Sequence, residues 1–404
     1  MKEPQINIAR IKNEVLTWLE TMRIPGHCFK FRYSSNSGNS IFCTCFALFI
    51  IDLFQEIDCL SSKTKLQLTS YLQGHQHKSD GYFEPDTIFH KDKDRIRQQL
   101  TTLCLSALNI LGVGPKYPLK FMEKWQKPID IITYLTKNQT HDGFDGSGNK
   151  AMFLAIFLTY EYERTGNSLY LDLIDTWFNF HDTYQNKNGF WGNKKANLYY
   201  KGLQNAFHQL EIYFYWKRTV PKLTKIVDIT LAMQDKDGFF APTPGGGPCK
   251  DYDAINILTN SFQFNKYRSE EKLKSLGKSL EAVLSCQNDD GGFCRSKQWP
   301  LNKSSNNIKN LIRIKNAKFI FHGNRPYFWF YRTKMFVYDV LKKKNKYISS
   351  WVRGGHYFYE SDLFSTWFRC LAIAQILSIL YPENCLKDHF RFQRTIGLGY
   401  FEKQ

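Results

Sequence analysis

The heptapeptide QNDDGGF at residues 287–293 is the last of five related turns in a chain of 404 residues. The earlier four are QHKSDGYF at 76–83, QTHDGF at 139–144, QNKNGFW at 185–191 and QDKDGFF at 234–240. In all but the first, Gln stands three residues before Asp or Asn and four before Gly. The turn glycines lie 62, 46, 49 and 53 residues apart. Repeats of about this length typically hold helix pairs that bury their apolar faces by stacking on neighbouring pairs.

Each turn lies between two segments whose apolar residues recur at helical spacing. Gly ends a helix readily in the left-handed conformation, and Asp or Asn favours the turn. The segments before the turns are predicted as outer helices and include Gln5–Met22, Lys120–Asn138, Leu169–Tyr184, Pro221–Met233 and Glu270–Cys286. The segments after them are predicted as inner helices: Ser40–Phe54, Arg95–Leu111, Lys150–Arg164, Lys201–Trp216, Asp251–Phe264 and Asp362–Tyr381. Six inner and six outer helices make an all-α fold, a closed (α/α)6 toroid.

Composition favours one large domain over residues 1–404. Hydrophobic residues make up 43% of the chain, enough for a sizeable core, and the repeats run through most of it. The longest apolar run, Ile41–Phe54, is too short to span a bilayer, and the start MKEPQINIAR lacks the apolar core of a signal peptide. The ten cysteines are scattered without CxxC motifs. They indicate reduced thiols in a cytoplasmic protein.

The formal net charge of +18 has two interpretations. It suits a phosphorylated substrate or peripheral contact with an anionic membrane surface. It also follows from a composition rich in Lys, Asn, Ile, Phe and Tyr, and the one dense basic cluster, Leu341–Lys346, is then a solvated helix end or loop. Nucleic-acid binding is not favoured, because no recognised binding motif accompanies the charge.

The repeat is interrupted once, by an insertion of residues 295–355 before the last inner helix. It begins near Gln298-Trp299-Pro300 and contains the aromatic segment Tyr327–Tyr338. Long insertions in compact domains are often lids. A lid would cover the mouth of the toroid and bring Arg325, Arg332 and Arg353 to it. The alternative is an extra packing helix with a mobile lead-in.

The direction of the chain places all inner helices with their first residues on one rim, just after the turns. Two polar stretches fall there: residues 245–254, which lead into the fifth inner helix, and residues 354–369 around the start of the sixth. Their acidic members are expected to form a cluster above the central cavity, with basic side chains beside it. The acids are Asp251, Asp253, Glu360 and Asp362, and the basic groups are Lys250, His356 and Arg369.

Such a cluster has two chemical uses. Crowded, partly buried carboxylates raise one another's pKa and keep one protonated as a general acid. Alternatively, they bind Mg²⁺ when the substrate carries a diphosphate. A structural role competes with both, because Asp is a favoured cap for the first turn of a helix. Asp362, after Ser361, fits a cap well, whereas one cap does not require both Asp251 and Asp253.

The turns resemble those of the superfamily of protein prenyltransferase β-subunits and squalene/terpene cyclases. Residues 185–191, 234–240 and 287–293 fit the cyclase pattern Gln-x-x-x-Gly-x-Trp/Phe. The resemblance covers about residues 40–300 and 355–380. It implies a helical toroid, a fold that supports varied chemistry.

Within that resemblance, the zinc site of the protein prenyltransferases is not matched. Those enzymes begin an inner helix with Asp-x-Cys and place a His on the next one. Here the positions hold Asp251-Tyr252-Asp253 and Ser365. Without the thiolate and imidazole that zinc prefers, neither a zinc site nor protein prenylation is expected.

Class II terpene cyclases begin the corresponding helix with Asp-x-Asp-Asp, whose middle Asp protonates an alkene or epoxide. Asp251-Tyr252-Asp253-Ala254 keeps the first two acids and lacks the third. The resemblance therefore implies that Asp253 is the acid and Asp251 its partner.

The favoured function is a terpene-cyclase-like enzyme that acts on an apolar, isoprenoid-type or phosphorylated small molecule and needs no cofactor. An aromatic content of 16% suits a cavity that stabilises carbocations, although aromatic residues at helical spacing also form ordinary cores. An (α/α)6 enzyme on carbohydrate and a non-catalytic toroid that binds a lipid or protein are the alternatives. Candidate substrate-binding residues are His356, Arg369, Lys250, Trp367, Tyr252, Tyr213 and His208.

Overall fold

A computed structural model of the protein describes residues 6–87, 91–143, 146–192, 200–243, 245–298, 334, 346–382 and 389–391. Within these ranges there are twelve α-helices, one 3-10 helix and one two-stranded hairpin. Six helices form the inner ring: α2 (Ile41–Leu53), α4 (Lys93–Ile110), α6 (Ser147–Thr165), α8 (Tyr200–Tyr215), α10 (Pro248–Ser261) and α12 (Leu363–Leu380). Six form the outer layer: α1 (Ile8–Met22), α3 (Ser62–Gly74), α5 (Pro128–Lys137), α7 (Leu169–Tyr184), α9 (Leu223–Met233) and α11 (Ser269–Leu284).

The inner helices close into a ring. Each packs against the next in chain order, and α12 packs against α2. The predicted all-α (α/α)6 toroid is therefore confirmed, and all six inner helices lie within three residues of their predicted bounds.

Burial distinguishes the two layers. Every residue of α2 is buried, whereas α3 buries only Leu68 and Leu72 and α5 only Ile131 and Leu135. Helix α12 is long and apolar enough to cross a membrane, but 83% of it is buried inside the protein, as an inner helix requires.

The repeated turns owe their Gly to both backbone conformation and space. The five turn glycines have φ between +67° and +97°. A Cβ on Gly238 would lie 2.4 Å from the Lys278 carbonyl oxygen in α11, and one on Gly291 would lie 2.3 Å from that of Glu14 in α1. A Cβ on Gly81 would lie 2.3 Å from the carbonyl oxygen of Pro118, two residues before the 3-10 helix. The outer layer therefore packs directly on the turns, which only Gly allows.

In four of the five turns, the side-chain amide of the repeated Gln bonds both to the turn Gly and to a neighbouring segment, whereas Gln139 is exposed. Gln234 Nε2 donates to the carbonyl of Gly238 at 3.2 Å and to that of Ser275 in α11 at 2.8 Å. Gln185 Nε2 bonds in the same way to Gly189 and to Pro221, just before α9. This buried amide satisfies carbonyls in two adjacent repeats, which explains its place in the motif.

One predicted outer helix is wrong in its bounds. The segment predicted over residues 120–138 is a 3-10 turn, Lys120–Lys124, followed by α5 from Pro128. The ring of Pro128 disfavours helical backbone at the residue before it, and Lys127 is accordingly extended, with φ −139° and ψ 152°.

The insertion leaves and rejoins the toroid at one point, because Cys294 and Ser361 form an antiparallel bridge. Its described end contains a hairpin of β1 (Lys346–Ile348) and β2 (Gly355–Tyr357), which the sequence did not predict. Residues 299–333 and 335–345, with Arg325, Arg332 and most of the predicted basic and aromatic segments, lie outside the described residues. Arg353 is exposed, and its carbonyl accepts from Gly38 N.

Trp351, between the two strands, lies over the rim where α2 and α12 begin. Its ring centroid is 5.9 Å from that of Phe42 and 4.7 Å from that of Phe364, the second residues of those helices. Its Nε1 donates to Gln99 Oε1 in α4 at 3.2 Å. The described end of the insertion thus covers part of the mouth, and its action as a lid stays a prediction.

Candidate functional site

Asp251, in the first turn of α10, is held by four donors. Its Oδ1 accepts from the backbone N–H groups of Phe240 and Ala241 at 2.9 Å, and its Oδ2 from Gly247 N at 2.8 Å. The fourth donor is Arg369 Nη1 in α12, at 2.7 Å from Oδ2, and both side chains are almost completely buried. Asp251 therefore joins the fourth turn, α10 and α12 through one buried ion pair and three hydrogen bonds from backbone N–H groups.

Asp253, two residues further along α10, has the opposite surroundings. It is 3% exposed and has no hydrogen-bond partner in the part of the chain that the structure describes. Burial raises its pKa well above the usual range, and the charges of Glu211 and Asp251 add to that effect against the opposing charge of Lys250. These surroundings favour the protonated, neutral form of the carboxyl group.

Glu211, on α8, is a candidate that the sequence interpretation missed. It is 5% exposed and close enough for its charge to raise the pKa of both Asp253 and Tyr252. The ring of Phe207, one turn earlier on α8, lies 5.8 Å from that of Tyr252. This face of α8 therefore packs against the Tyr252 side of α10. One feature of the sequence could have revealed it: Glu211 lies at helical spacing from the apolar residues Phe207, Leu210 and Phe214, which predicts that it shares their buried face.

Aromatic and polar groups contact Tyr252, the residue before Asp253. The Tyr252 ring lies 5.2 Å from that of Phe368, and its hydroxyl accepts from Asn256 Nδ2 at 3.1 Å and Gln375 Nε2 at 3.2 Å. Trp367 stacks on Phe46 with centroids 5.4 Å apart. Rings from α8, α10 and α12 therefore meet at Tyr252, which is close enough to Glu211 and Asp253 for their charges to raise its pKa.

Asp362 caps α12. It accepts from Ser365 N at 2.8 Å and Ser365 Oγ at 2.6 Å, and its Oδ2 lies 3.3 Å from His356 Nε2. Burial alone would raise the pKa of Asp362, yet His356 and Ser365 outweigh it and lower that pKa. The capping interpretation therefore holds for this residue, which is ionised and not a proton donor.

Glu360 faces away from this pair of acids. Its carboxylate accepts from Ser35 Oγ at 2.8 Å, Asn36 N at 3.0 Å and Tyr357 N at 3.2 Å. It links the segment between α1 and α2 to β2.

The single cluster of four acids that was expected is consequently not formed. Each of its members has its own surroundings, and no three His, Cys, Asp or Glu side chains in the described ranges could together hold a metal ion. The predicted lack of zinc stays a prediction.

Two predicted binding residues have other contacts. Tyr213 Oη donates to Asp182 Oδ1 of α7 at 2.5 Å, so its side chain points to the outer layer. On α8, His208 lies between Asn149 Nδ2 and the Gln204 carbonyl, both at 2.7 Å, and burial lowers its pKa to about 4. His208 is thus a neutral link between α6 and α8.

A cavity of about 720 Å³ lies at the other rim. The last turns of α4 and α6 line it together with residues 112–119. Because Asp253 and Glu211 are on other helices, and Asp253 is at the opposite end, this cavity does not belong to the candidate site.

Comparison with known families identifies the fold independently. The family model described as prenyltransferase alpha-alpha toroid domain matches residues 4–152 and 93–299, which together exceed half of the chain. No curated protein and no solved structure matches significantly. The match supports a general prenyltransferase- or terpene-cyclase-like function. The chain belongs to the family of the prenyltransferase alpha-alpha toroid domain.

Proposed function

We propose that this protein is a terpene-cyclase-like enzyme in which Asp253 protonates an apolar, isoprenoid-type substrate. The observation that carries the proposal is a buried carboxyl group without a hydrogen-bond partner among the described residues. Burial and two neighbouring acids raise its pKa and so favour its protonated form. A neutral acid in an apolar setting is the proton donor that an alkene or epoxide requires.

The reaction would begin with transfer of the Asp253 proton to a carbon–carbon double bond or an epoxide oxygen. With an alkene, the π electron pair forms the new C–H bond and leaves a carbocation; with an epoxide, an oxygen lone pair takes the proton and one C–O bond then breaks, leaving a carbocation and a hydroxyl group. The faces of Phe207, Tyr252 and Phe368 stabilise the carbocation. Lys250, whose charge favours ionised Asp253, stabilises the carboxylate that remains. Loss of a proton or addition of water ends the reaction. No cofactor enters these steps.

Asp251 acts in this scheme as a positioning residue. Its contacts with Gly247 N and Arg369 fix the first turn of α10, which carries Asp253. Its negative charge also contributes to the raised pKa of Asp253.

We further propose a cytoplasmic location, since the nine cysteines in the described ranges are all free thiols.

The test is turnover by Asp253→Asn. Squalene, geranylgeraniol and geranylgeranyl diphosphate are incubated with the purified protein, and cyclised or rearranged products are measured by gas chromatography and mass spectrometry. The variant should lose about 10²-fold or more of the turnover, as expected for loss of a general acid, without a lower melting temperature. Asp289→Asn, at an exposed turn aspartate, is the matched control and should keep full activity.

A near-normal rate for Asp253→Asn would remove this residue from the mechanism. For the wild-type protein, the rate should fall as the pH rises through the pKa of Asp253, because the ionised carboxyl group cannot donate a proton.

A carbohydrate-active enzyme is the second candidate. Two neighbouring buried carboxyl groups, Asp253 and Glu211, are also what a glycosidase uses as acid and base. Release of reducing sugar from oligosaccharides, dependent on both residues, would favour it over the cyclase.

A further inference from the structure

Two cysteines flank the fifth turn, residues 287–293. Cys286 directly precedes Gln287, Cys294 directly follows Phe293, and both cysteines are buried. Gln287 and Phe293 form an antiparallel bridge, and Cys294 N donates to the Cys286 carbonyl at 3.0 Å. The two cysteines therefore lie opposite each other at the base of the turn.

This pairing brings the two thiols within reach of a disulfide bond. Opposed residues of an antiparallel pair that are joined by backbone hydrogen bonds have Cα atoms about 5.5 Å apart. Disulfides join cysteines whose Cα atoms are roughly 4.4–6.8 Å apart. The side chains of Cys286 and Cys294 are already hydrogen-bonded to each other. A bond between the two sulfurs therefore requires no large movement of the backbone.

The surroundings give the two thiols different reactivity. The hydrogen bond from Cys294 lowers the pKa of Cys286, and the charge of Arg369 lowers it further, against the opposite effect of burial. The same hydrogen bond raises the pKa of Cys294, and burial adds to that rise. Cys286 Sγ also lies 3.6 Å from the Ala282 carbonyl, which accepts the thiol proton before ionisation. Because the thiolate is the reactive form of cysteine, Cys286 is the nucleophile of the pair and Cys294 its neutral neighbour.

A second pair of thiols is equally close and lacks this asymmetry. The Sγ atoms of Cys45 in α2 and Cys104 in α4 are 3.9 Å apart, and both residues are buried. Burial raises the pKa of Cys104 well above its usual range, and no basic side chain in the described ranges counters that effect. Proximity is common to both pairs, whereas the thiolate is favoured at Cys286.

The pair at the fifth turn also lies near the surface. Ser285, before Cys286, is exposed, and Arg295, after Cys294, is half-buried. A molecule as small as hydrogen peroxide can therefore reach the sulfurs when the turn opens locally.

We propose that Cys286 and Cys294 are a modification site, where a peroxide forms a reversible disulfide across the fifth turn. The Cys286 thiolate attacks one oxygen of hydrogen peroxide, and the O–O bond breaks. Hydroxide leaves and becomes water with the proton that Cys286 had released, and Cys286 becomes a sulfenic acid. The Cys294 sulfur then attacks the Cys286 sulfur, the S–O bond breaks, and a second water leaves with the Cys294 proton. The two thiols lose two electrons and two protons in all, and the peroxide gains them.

The modification goes beyond the proposed cyclase reaction and does not depend on it. A dithiol reductant reverses it by thiol–disulfide exchange, as expected of a transient disulfide in a reducing compartment. The bond would close the point at which the insertion leaves the toroid. It would also lie beside Arg369, which donates to the carbonyl of Arg295 at 3.1 Å.

Peptide mapping of the oxidised full-length protein tests the inference. Trypsin cleaves after Lys278 and Arg295, so one peptide, residues 279–295, contains both cysteines. After treatment with hydrogen peroxide and alkylation with iodoacetamide, that peptide should be lighter than its reduced form by two hydrogen atoms and carry no alkyl group. Dithiothreitol should restore both alkylation sites. The link should form about tenfold or more faster than any link between Cys45 and Cys104.

Single variants test the two roles. Cys294→Ser keeps a hydroxyl donor beside Cys286, and should leave a Cys286 sulfenic acid that dimedone labels. Cys286→Ser should leave Cys294 reduced under the same conditions. Cys104→Ser is the matched control and should form the disulfide of the 279–295 peptide at the wild-type rate.

The decisive measurement needs no variant, because it is made on the wild-type protein. Full alkylation of the 279–295 peptide after peroxide treatment would overturn the inference. So would a Cys45–Cys104 link that forms as fast, or dimedone labelling at Cys294 in Cys286→Ser.

Discussion

Asp251 and Asp253 are two residues apart on one helix turn and both are buried, yet they have different chemistry. Asp251 has four donors, one of them a guanidinium, whereas Asp253 has acidic neighbours and no hydrogen-bond donor in the described ranges. Donors stabilise a carboxylate, and acidic neighbours with burial disfavour it. Two identical side chains in the same turn thus serve as a structural anion and as a candidate acid.

Replacement of Asp251 should therefore destabilise the protein strongly. Asp251→Asn leaves Arg369 buried without its counter-charge, which should lower the free energy of unfolding by about 3–5 kcal/mol. Asp175→Asn is the control, because Asp175 and Arg218 are also 2.7 Å apart but their side chains are 63% and 35% exposed. That change should cost less than about 1 kcal/mol. Urea unfolding measures both, and equal losses would contradict this account.

Some residues of the site could be predicted from the sequence and others could not. The repeated turn motif and the direction of the chain predicted that Asp251, Asp253 and Arg369 lie on one rim. This was possible because the motif and the helix starts can be recognised from local sequence. The acidic neighbour of Asp253, Glu211, was missed because it lies within α8, outside any motif.

At the scale of the element, the repeated turn accounts for how successive helix pairs attach. Its Gly permits contact with a neighbouring outer helix, and its Gln bonds to that helix or the residues before it. Because these contacts require Gly and Gln at fixed positions, the turn motif marks where each following inner helix begins, and the bounds of the inner helices could be predicted within a few residues. Helix α5 was less predictable, since the preference of Lys127 before Pro128 for extended backbone divided one apolar segment into two elements.

Gly238→Ala should disrupt one such attachment. Its φ is +97°, and the added Cβ would lie 2.4 Å from the Lys278 carbonyl oxygen in α11. We expect a loss of about 2–4 kcal/mol in the free energy of unfolding, from backbone strain and the displacement of α11. Gly277→Ala, one residue from Lys278, meets no atom within 4 Å and should stabilise α11 by up to about 1 kcal/mol. Thermal unfolding would contradict the interpretation if both changes had the same sign.

At the scale of the whole molecule, two histidines whose pKa is lowered in the folded protein make stability depend on pH. Burial lowers the pKa of His208 to about 4 and that of His181, between Trp177 and Trp191, to about 3. Since these values lie below the unfolded value near 6.5, protons bind preferentially to the unfolded chain. Their contribution is complete above about pH 6.5 and is lost as the pH falls toward 4 and then 3.

For His208 alone, the loss should reach roughly 3 kcal/mol near pH 4. Urea unfolding at pH 7.0, 5.5 and 4.5 should therefore show a steep decline for the wild type and a shallower one for His208→Gln. His77→Gln, at a side chain that is 49% exposed, should follow the wild-type curve. Parallel curves for all three proteins would show that His208 does not control this response.

Closure of the ring has a consequence for biosynthesis. Helix α12 packs against α2, and Ser35 bonds to Glu360, 325 residues later in the chain. An open solenoid can add repeats one at a time as it leaves the ribosome, but here the first inner helix has no permanent neighbour on one side until nearly the whole chain has been made. The fully buried surface of α2 must wait for α12. A nascent chain stalled before residue 363 would expose that surface, and cells must protect or degrade it.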